Sequence, residues 1–197
     1  MVMTELKLRP QKMSLLVHVV DDLKAPEDYL FKDYYLKKVK IRISHGANFI
    51  RVSRIGIFYF SNLAEGDYTV TLSCPNYVTE QRQVTITSGA SSELQVRMKP
   101  GYDYKVYGAV AFIRGAVVDA LNNRPIAGVR VRALARTEEA LTDEKGRYML
   151  YFKDVIDAGG ESIDLTLNHS LFQSALKTLS LLPGQKITME TLKLTKL

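Results

Sequence analysis

Tryptophan is missing from this chain and cysteine occurs once, at Cys74. A lone thiol closes no internal disulfide, so the fold has to be held by burial and hydrogen bonds, which suits a reducing compartment. Histidine is scarce too. His18, His45 and His169 stand far apart, with no second histidine or cysteine at ligand spacing and no H-E-x-x-H arrangement, so no metal site is expected. No stretch approaches the roughly 18 uninterrupted apolar residues of a membrane helix. The opening MVMTELKLRPQK carries charge throughout instead of a signal-peptide core, which gives the expectation of a cytoplasmic protein. Glycine-rich phosphate loops are absent as well. The paired carboxylates Asp21 with Asp22 and Glu138 with Glu139 are adjacent, and adjacent strand residues point to opposite faces, so they make no acid/base pair. As loop residues they show no ordered series of oxygen ligands for calcium. Neither catalytic residues nor a cofactor site emerge, and the chain is expected not to be an enzyme.

What the sequence does carry is β-structure punctuated by turns. The run from Val117 to Phe152 is the clearest case. Asn122, Asn123, Arg124 and Pro125 end one apolar run, and Gly128 leads into Val129, Arg130, Val131 and Arg132, which alternate with period two. Thr142, Asp143, Glu144, Lys145 and Gly146 then form a polar turn ending in a residue free to take positive φ, before the aromatic-rich strand from Arg147 to Phe152. The order and spacing of Gly115, Val118, Asp119, Pro125, Ile126, Gly128, Val129, Val131, Thr142, Asp143, Gly146 and Tyr148 resemble the carboxypeptidase regulatory-like domain, a transthyretin-like β-sandwich. The resemblance implies structural roles for these residues and no peptidase activity, because it does not extend to the metallopeptidase domain of some relatives. Sandwich-like relatives that hydrolyse 5-hydroxyisourate end in Tyr-Arg-Gly-Ser, whereas this sequence closes on Leu192, Lys193, Leu194, Thr195, Lys196 and Leu197.

The pattern occurs twice. The strand of Leu15 to Val20 parallels Ile113 to Asp119 at an offset of 98, while Val39 to Ile43 and Gly56 to Phe60 recur at an offset of 90. Gly66, Asp67, Tyr68, Thr69 and Val70, with Asn76 and Tyr77 further on, supply in the first copy the latter half of the same domain pattern. The fold class read from this is all-β, two tandem transthyretin-like or Ig-like Greek-key β-sandwiches. The expected organisation is an N-terminal arm at 1–12, a first sandwich at 13–100, a linker at 101–109 and a second sandwich at 110–197. The linker is short and aromatic, with Tyr102, Tyr104 and Tyr107. Ile187 to Leu194 reads as one closing strand.

The difference between the offsets places extra residues in the loop 22–38 of the first repeat. Tyr29, Phe31, Tyr34 and Tyr35 in this loop are spaced as one face of a short helix, with Pro26, Glu27 and Asp28 at its start and Lys37 and Lys38 at its end. Long loops on rigid scaffolds concentrate function. These six residues are therefore the candidate partner-binding set, although the aromatics would equally cap the open end of the sandwich. With a net charge of +6, and Lys32, Lys40, Arg42, Arg51 and Arg54 near this loop, nucleic acid or an anionic surface is a possible partner, and an acidic protein surface or a further copy of the chain another. Aromatic sets at Tyr29, Tyr34 and Tyr35 or at Tyr102, Tyr104 and Tyr107 would serve a glycan or small-ligand module if they formed a concave patch. The reading favoured is a non-catalytic structural or adaptor protein in a larger intracellular assembly, by analogy a phage tail or contractile injection apparatus. If the loop is an interface, replacing Phe31, Tyr34 and Tyr35 by serine will abolish partner binding and leave the melting temperature nearly unchanged. A large fall in melting temperature would make the loop part of the core instead.

Overall fold

Period-two alternation recurs along the chain, and the fold follows from it. The computed structural model describes residues 12–23, 38–45, 50–52, 56–106, 108–154 and 156–197. Among these residues all regular structure is β, so the all-β class holds. The chain divides into two compact units, Met1–Pro100 and Gly101–Leu197.

In the first unit one sheet runs in the order β3 (Ile50–Val52), β4 (Ile57–Ser61), β1 (Met13–Asp21), β7 (Ser92–Met98). The other runs β2 (Lys40–Ile43), β5 (Gly66–Ser73), β6 (Glu80–Ile86). Alternation decides which side chains meet between them. Leu15, Val17 and Val19 of β1, Phe58 and Phe60 of β4, and Val96 and Met98 of β7 share one core with Ile41, Tyr68, Val70, Leu72 and Ile86. Each such buried side chain contributes about 1.5–3 kcal/mol of transfer free energy, enough to fix strand register in a protein with no disulfide.

The second unit repeats the scheme. Its first sheet is β11 (Arg147–Phe152), β8 (Ala111–Asp119) and β14 (Lys186–Thr188), with β15 (Leu192–Leu194) also on β8. Its second sheet is β10 (Glu139–Leu141), β9 (Arg130–Ala133), β12 (Glu161–His169) and β13 (Phe172–Leu181). The core gathers Ile113, Val117, Tyr148, Leu150 and Phe152 with Val131, Ala133, Ile163, Leu165 and Leu167. In both units the first strand pairs antiparallel with the strand of the second hairpin and parallel with the last strand.

One expectation is corrected. The closing strand is broken. β14 pairs with Phe112 to Arg114 and β15 with Val117 to Asp119, so four steps along the closing segment match three along β8. The segment 101–106, within the expected linker, packs on the second unit. Tyr104 is buried, Asp103 pairs with Arg147 at 3.2 Å, and Lys186 donates to the Val106 carbonyl at 3.3 Å.

The glycines of the recognised pattern have separate physical reasons. Gly115 leaves room for a ring, since a Cβ there would stand 2.6 Å from the Tyr148 Oη. Gly146 combines φ +69° with a would-be Cβ only 2.4 Å from the Val117 carbonyl oxygen. Gly128 also has positive φ, +75°, but open space around the Cβ position. Gly128→Ala is therefore expected to cost only the left-handed backbone penalty, about 1–2 kcal/mol. Gly146→Ala will cost clearly more, because a backbone oxygen must move. Urea unfolding of the two variants beside the native protein checks this ranking, and equal losses would refute it.

Candidate interaction site

The long loop of the first unit leaves and re-enters at one end of the sandwich, and that end is built by four strand termini. β1 ends at Asp21, β5 at Ser73 and β7 at Met98, while β2 begins opposite Ser73 at Lys40. The Asp21 carboxylate is the hub. Its Oδ1 accepts the Leu23 amide at 2.9 Å and its Oδ2 accepts the Tyr77 hydroxyl at 2.9 Å, while the Asp22 amide donates to the Met98 carbonyl at 3.1 Å. Tyr77 is aimed there by a turn in which Asn76 takes φ +70°, a conformation asparagine tolerates and the related pattern gives to glycine.

Of the six candidate binding residues, Tyr29, Phe31, Tyr34, Tyr35 and Lys37 lie outside the described residues, as do Lys32 and Arg54, while Arg51 is in β3, opposite Tyr59. Lys38 is described. It is exposed, in the turn before Val39, and near enough to Cys74 for its charge to act on the thiol. Lys40 and Arg42 do not join the loop base as a basic pocket. They sit exposed on the outer face of β2, alternating with buried Ile41.

Nucleophilic chemistry at this end is disfavoured by electrostatics. Burial pushes the Cys74 thiol up to about 11, against the opposing pull of Lys38. At neutral pH the sulfur is thus a protonated, buried thiol, and the thiolate is the reactive form. His18 lies elsewhere, on the outer face of β1, with Nε2 3.0 Å from a Glu93 carboxylate oxygen.

The second unit uses its polar motif residues for architecture. Asp119 Oδ1 accepts the Leu121 amide at 2.8 Å, the counterpart of the Asp21 contact, and Oδ2 accepts from the Asn122 side chain at 3.1 Å. Thr142 is buried. Its hydroxyl donates to the Ile126 carbonyl at 2.6 Å and accepts the Val129 amide at 2.9 Å. Asp143 accepts the amides of Lys145 and Arg147 and the Arg147 guanidinium. Glu138 and Glu139 take different surroundings: Glu138 binds Arg136 at 3.1 Å, and Glu139 stands opposite Arg132 in the β9–β10 ladder. Among the described residues, no group of three or more His, Cys, Asp or Glu is placed to hold a metal ion.

Tyr102 and Tyr104 do not open a concave aromatic patch. The Arg147 guanidinium lies 4.7 Å from the Tyr102 ring centroid, Arg114 stacks on Phe112 at 4.5 Å, and Arg114 donates to the Tyr104 carbonyl. Tyr107 lies outside the described residues. The sequence pattern also gave no sign of the exposed apolar positions on the second sheet of this unit. Leu134, Leu141, Leu171, Leu176 and Leu182 belong to that sheet or to the residues next to its strands. They make up five of the nine large hydrophobics exposed among the described residues.

No protein-family model matches the chain, and no curated protein matches it. Among solved structures it is similar to the TIE protein of Bacillus anthracis, at 16% identity and TM-score 0.33 over 94% of this chain and 34% of that one. It spans about a third of that protein's length. A minor pilin of Streptococcus agalactiae is similar at 11% identity and TM-score 0.33, over 93% of this chain and 96% of the pilin. The shaft pilin spaA of Lactobacillus rhamnosus GG is similar at 8% identity and TM-score 0.33, over 95% of this chain and 98% of the pilin. Likeness at this level says nothing about chemistry or partners.

The state of Cys74 has a direct check. Because its folded pKa is raised above the unfolded value of 9.0, the protonated thiol stabilises the fold fully below that pH, and the contribution is lost as pH rises towards about 11. A thiol reagent at pH 7.5 is expected to leave the native protein unmodified and to label it stoichiometrically in urea. Rapid labelling without denaturant would show an accessible thiolate.

Proposed function

We propose that the chain is a non-catalytic structural or adaptor protein that works through protein–protein contacts. The observation that carries this reading is the second sheet of the second unit, with its exposed leucines. Exposed apolar side chains gathered on one element mark a contact surface more often than scattered ones do. Its outer face holds Glu139 and Leu141 on β10, Arg130 and Arg132 on β9, Asp164 and Thr166 on β12 and Leu176 on β13. Apolar side chains interleaved with charges of both signs in this way suit a protein surface of mixed apolar and polar character.

The non-enzymatic reading is supported by the use of Asp119, Thr142 and Asp143, whose hydrogen bonds all go to holding turns. The finer family assignment, to the carboxypeptidase regulatory-like domain, rests on the same residues in their turns. A place in a larger intracellular assembly, of phage-tail or contractile-injection type, is the finest form of the proposal and rests on analogy. A cytosolic location is supported by the single buried Cys74.

Sedimentation of native protein from a gentle lysate, with mass spectrometry of what travels with it, tests the reading. The protein is expected with particles far heavier than its own 22.2 kDa. Leu141→Lys with Leu176→Lys is expected to release it, with unfolding free energy changed by no more than about 0.5 kcal/mol, as at other exposed sites. Sedimentation of the native chain alone would end the assembly proposal, and association unaffected by the double variant would remove this sheet from it.

A further inference from the structure

A guanidinium taken partly out of water needs acceptors for its N–H groups, and a carboxylate supplies two at a time. Three arginines of the second unit are half-buried: Arg114, Arg136 and Arg147. Two of them follow the rule. Arg136 pairs with Glu138 at 3.1 Å and Glu161 at 2.9 Å, and Arg147 pairs with Asp103 at 3.2 Å and Asp143 at 2.9 Å. Arg114 does not. Among the described residues no carboxylate meets it, its Nη2 donates to the Tyr104 carbonyl, and its Nε is buried without an acceptor. Nη1 has no partner either and is not buried.

The surroundings of Arg114 follow from strand register. Ile113 and Val117 of β8 point into the core, so Phe112 and Arg114 project from the opposite side of the sheet. β14 runs parallel to β8 and sets Thr188 beside Arg114 and Lys186 beside Phe112, about 4.8 Å away across the ladder. Thr188 and Lys186 are exposed. The Phe112 ring lies 4.5 Å from the guanidinium carbon and the Tyr102 ring 5.8 Å. Rings answer the charge but accept none of the N–H groups in the guanidinium plane. Lys186 gives one bond to the Val106 carbonyl at 3.3 Å, which leaves two of its three donors for another group.

The acids nearby do not fill the gap. Asp103 and Asp143 are held by Arg147, and Glu190, exposed in the break between β14 and β15, forms no ion pair among the described residues. The missing partner of Arg114 therefore has to come from outside the unit.

We propose that Arg114, Thr188 and Lys186 form a seat for a carboxylate carried by an acidic segment of a partner protein. The Arg114 guanidinium binds the two oxygens, the Thr188 hydroxyl donates from the next strand, and Lys186 adds its charge from one position along β14 on the same face. This rests on the reading of the chain as a protein-contact module, and it places a second contact on the sheet opposite the exposed leucines. A carboxylate fits better than a nucleic-acid backbone. Asp103, Asp143 and Glu190 flank these cations and would repel the successive charges of a polyphosphate, whereas a single carboxylate needs only the Arg114 edge.

Hexaglutamate is the probe, titrated at physiological ionic strength into the isotope-labelled full chain. The Arg114 Nε–H signal and the amides of Lys186 and Thr188 are expected to shift and saturate. Thr188→Glu sets a carboxylate of the chain's own beside Arg114, and is expected to weaken hexaglutamate binding about tenfold while melting at a higher temperature than Thr188→Gln. Thr188→Gln is expected to bind as the native chain does. The titration requires no assembly, so its failure is distinct from failure of the protein to sediment with heavy particles. Absence of a saturable shift at Arg114 overturns the proposal, and so does a Thr188→Glu variant that binds and melts like Thr188→Gln. Tighter binding of an oligothymidylate than of hexaglutamate at the same signals also overturns it, since the seat would then be a phosphate site.

Discussion

Each unit depends on the burial of its first strand between two neighbours of opposite direction. β1 lies antiparallel to β4 and parallel to β7, and β8 lies antiparallel to β11 and parallel to the β14–β15 pair. A parallel partner cannot come from a hairpin, so the last segment of the unit must return to the first, and the whole intervening chain is closed into a sandwich by that one pairing. The aspartate at the end of the strand fixes where the pairing stops. Asp21 and Asp119 each receive the amide two residues on, which turns the chain out of the sheet at the same register in both units. The second carboxylate oxygen is satisfied differently, by the Tyr77 hydroxyl across the unit or by Asn122 within the turn. Phe172 stands where Tyr77 would recur and has no hydroxyl to give, so the local asparagine takes its place.

The copies have diverged through coupled changes of this kind. Val17 faces Phe58 across β1 and β4, and the corresponding pair in the second unit is Gly115 and Tyr148. A tyrosine in that place needs the side-chain volume of its partner removed, as the 2.6 Å approach to a would-be Cβ shows. The Tyr148 hydroxyl then requires an acceptor and meets the Met189 sulfur at 3.3 Å. Met189 lies between β14 and β15, so the break in the closing strand and the glycine in the central strand belong to one rearrangement. β7, opposite Val17 and without such a hydroxyl to accommodate, runs unbroken.

Much of this was legible in the sequence because side-chain alternation reports burial directly. The long strands and the turn at Thr142 to Gly146 follow from it, as does the β character of Phe172–Leu181. Three-residue strands were not legible, since so short a run carries no period. β3 joins the edge of β4 while β10 joins β9, so the third strand of each unit belongs to a different sheet, a choice made by tertiary packing and not by propensity. Tyr102 to Val106 reads as a linker because its alternation is brief and precedes a glycine. Only the cations waiting on β8 and β11, remote in sequence, turn it into a packed segment. At the candidate site, the linkage of Asp21 to Tyr77 joins residues 56 positions apart and left no local trace.

The edge strand β13 shows how an exposed surface can meet partners without uncontrolled sheet extension. With β12 on one side, it offers backbone on the other from Ser174 onward, since Phe172 bridges Lys196 and the Gln173 amide donates to the Thr195 carbonyl. A long edge of this sort would invite pairing with another copy. Lys177 opposes core-facing Leu165 and shares its side of the strand with Ala175, Leu179 and Leu181. A strand added at this edge would have to bury that ammonium or displace it, and an unpaired buried charge is far too costly for backbone hydrogen bonds to offset. Leu176 projects to the opposite side, together with Leu141, Thr166 and the charged Arg130, Arg132 and Glu139, which a partner can meet through side chains without burying the Lys177 ammonium. The geometry therefore separates recognition through side chains on the outer face from addition of strands at the edge, and a structural role requires the first while tolerating little of the second.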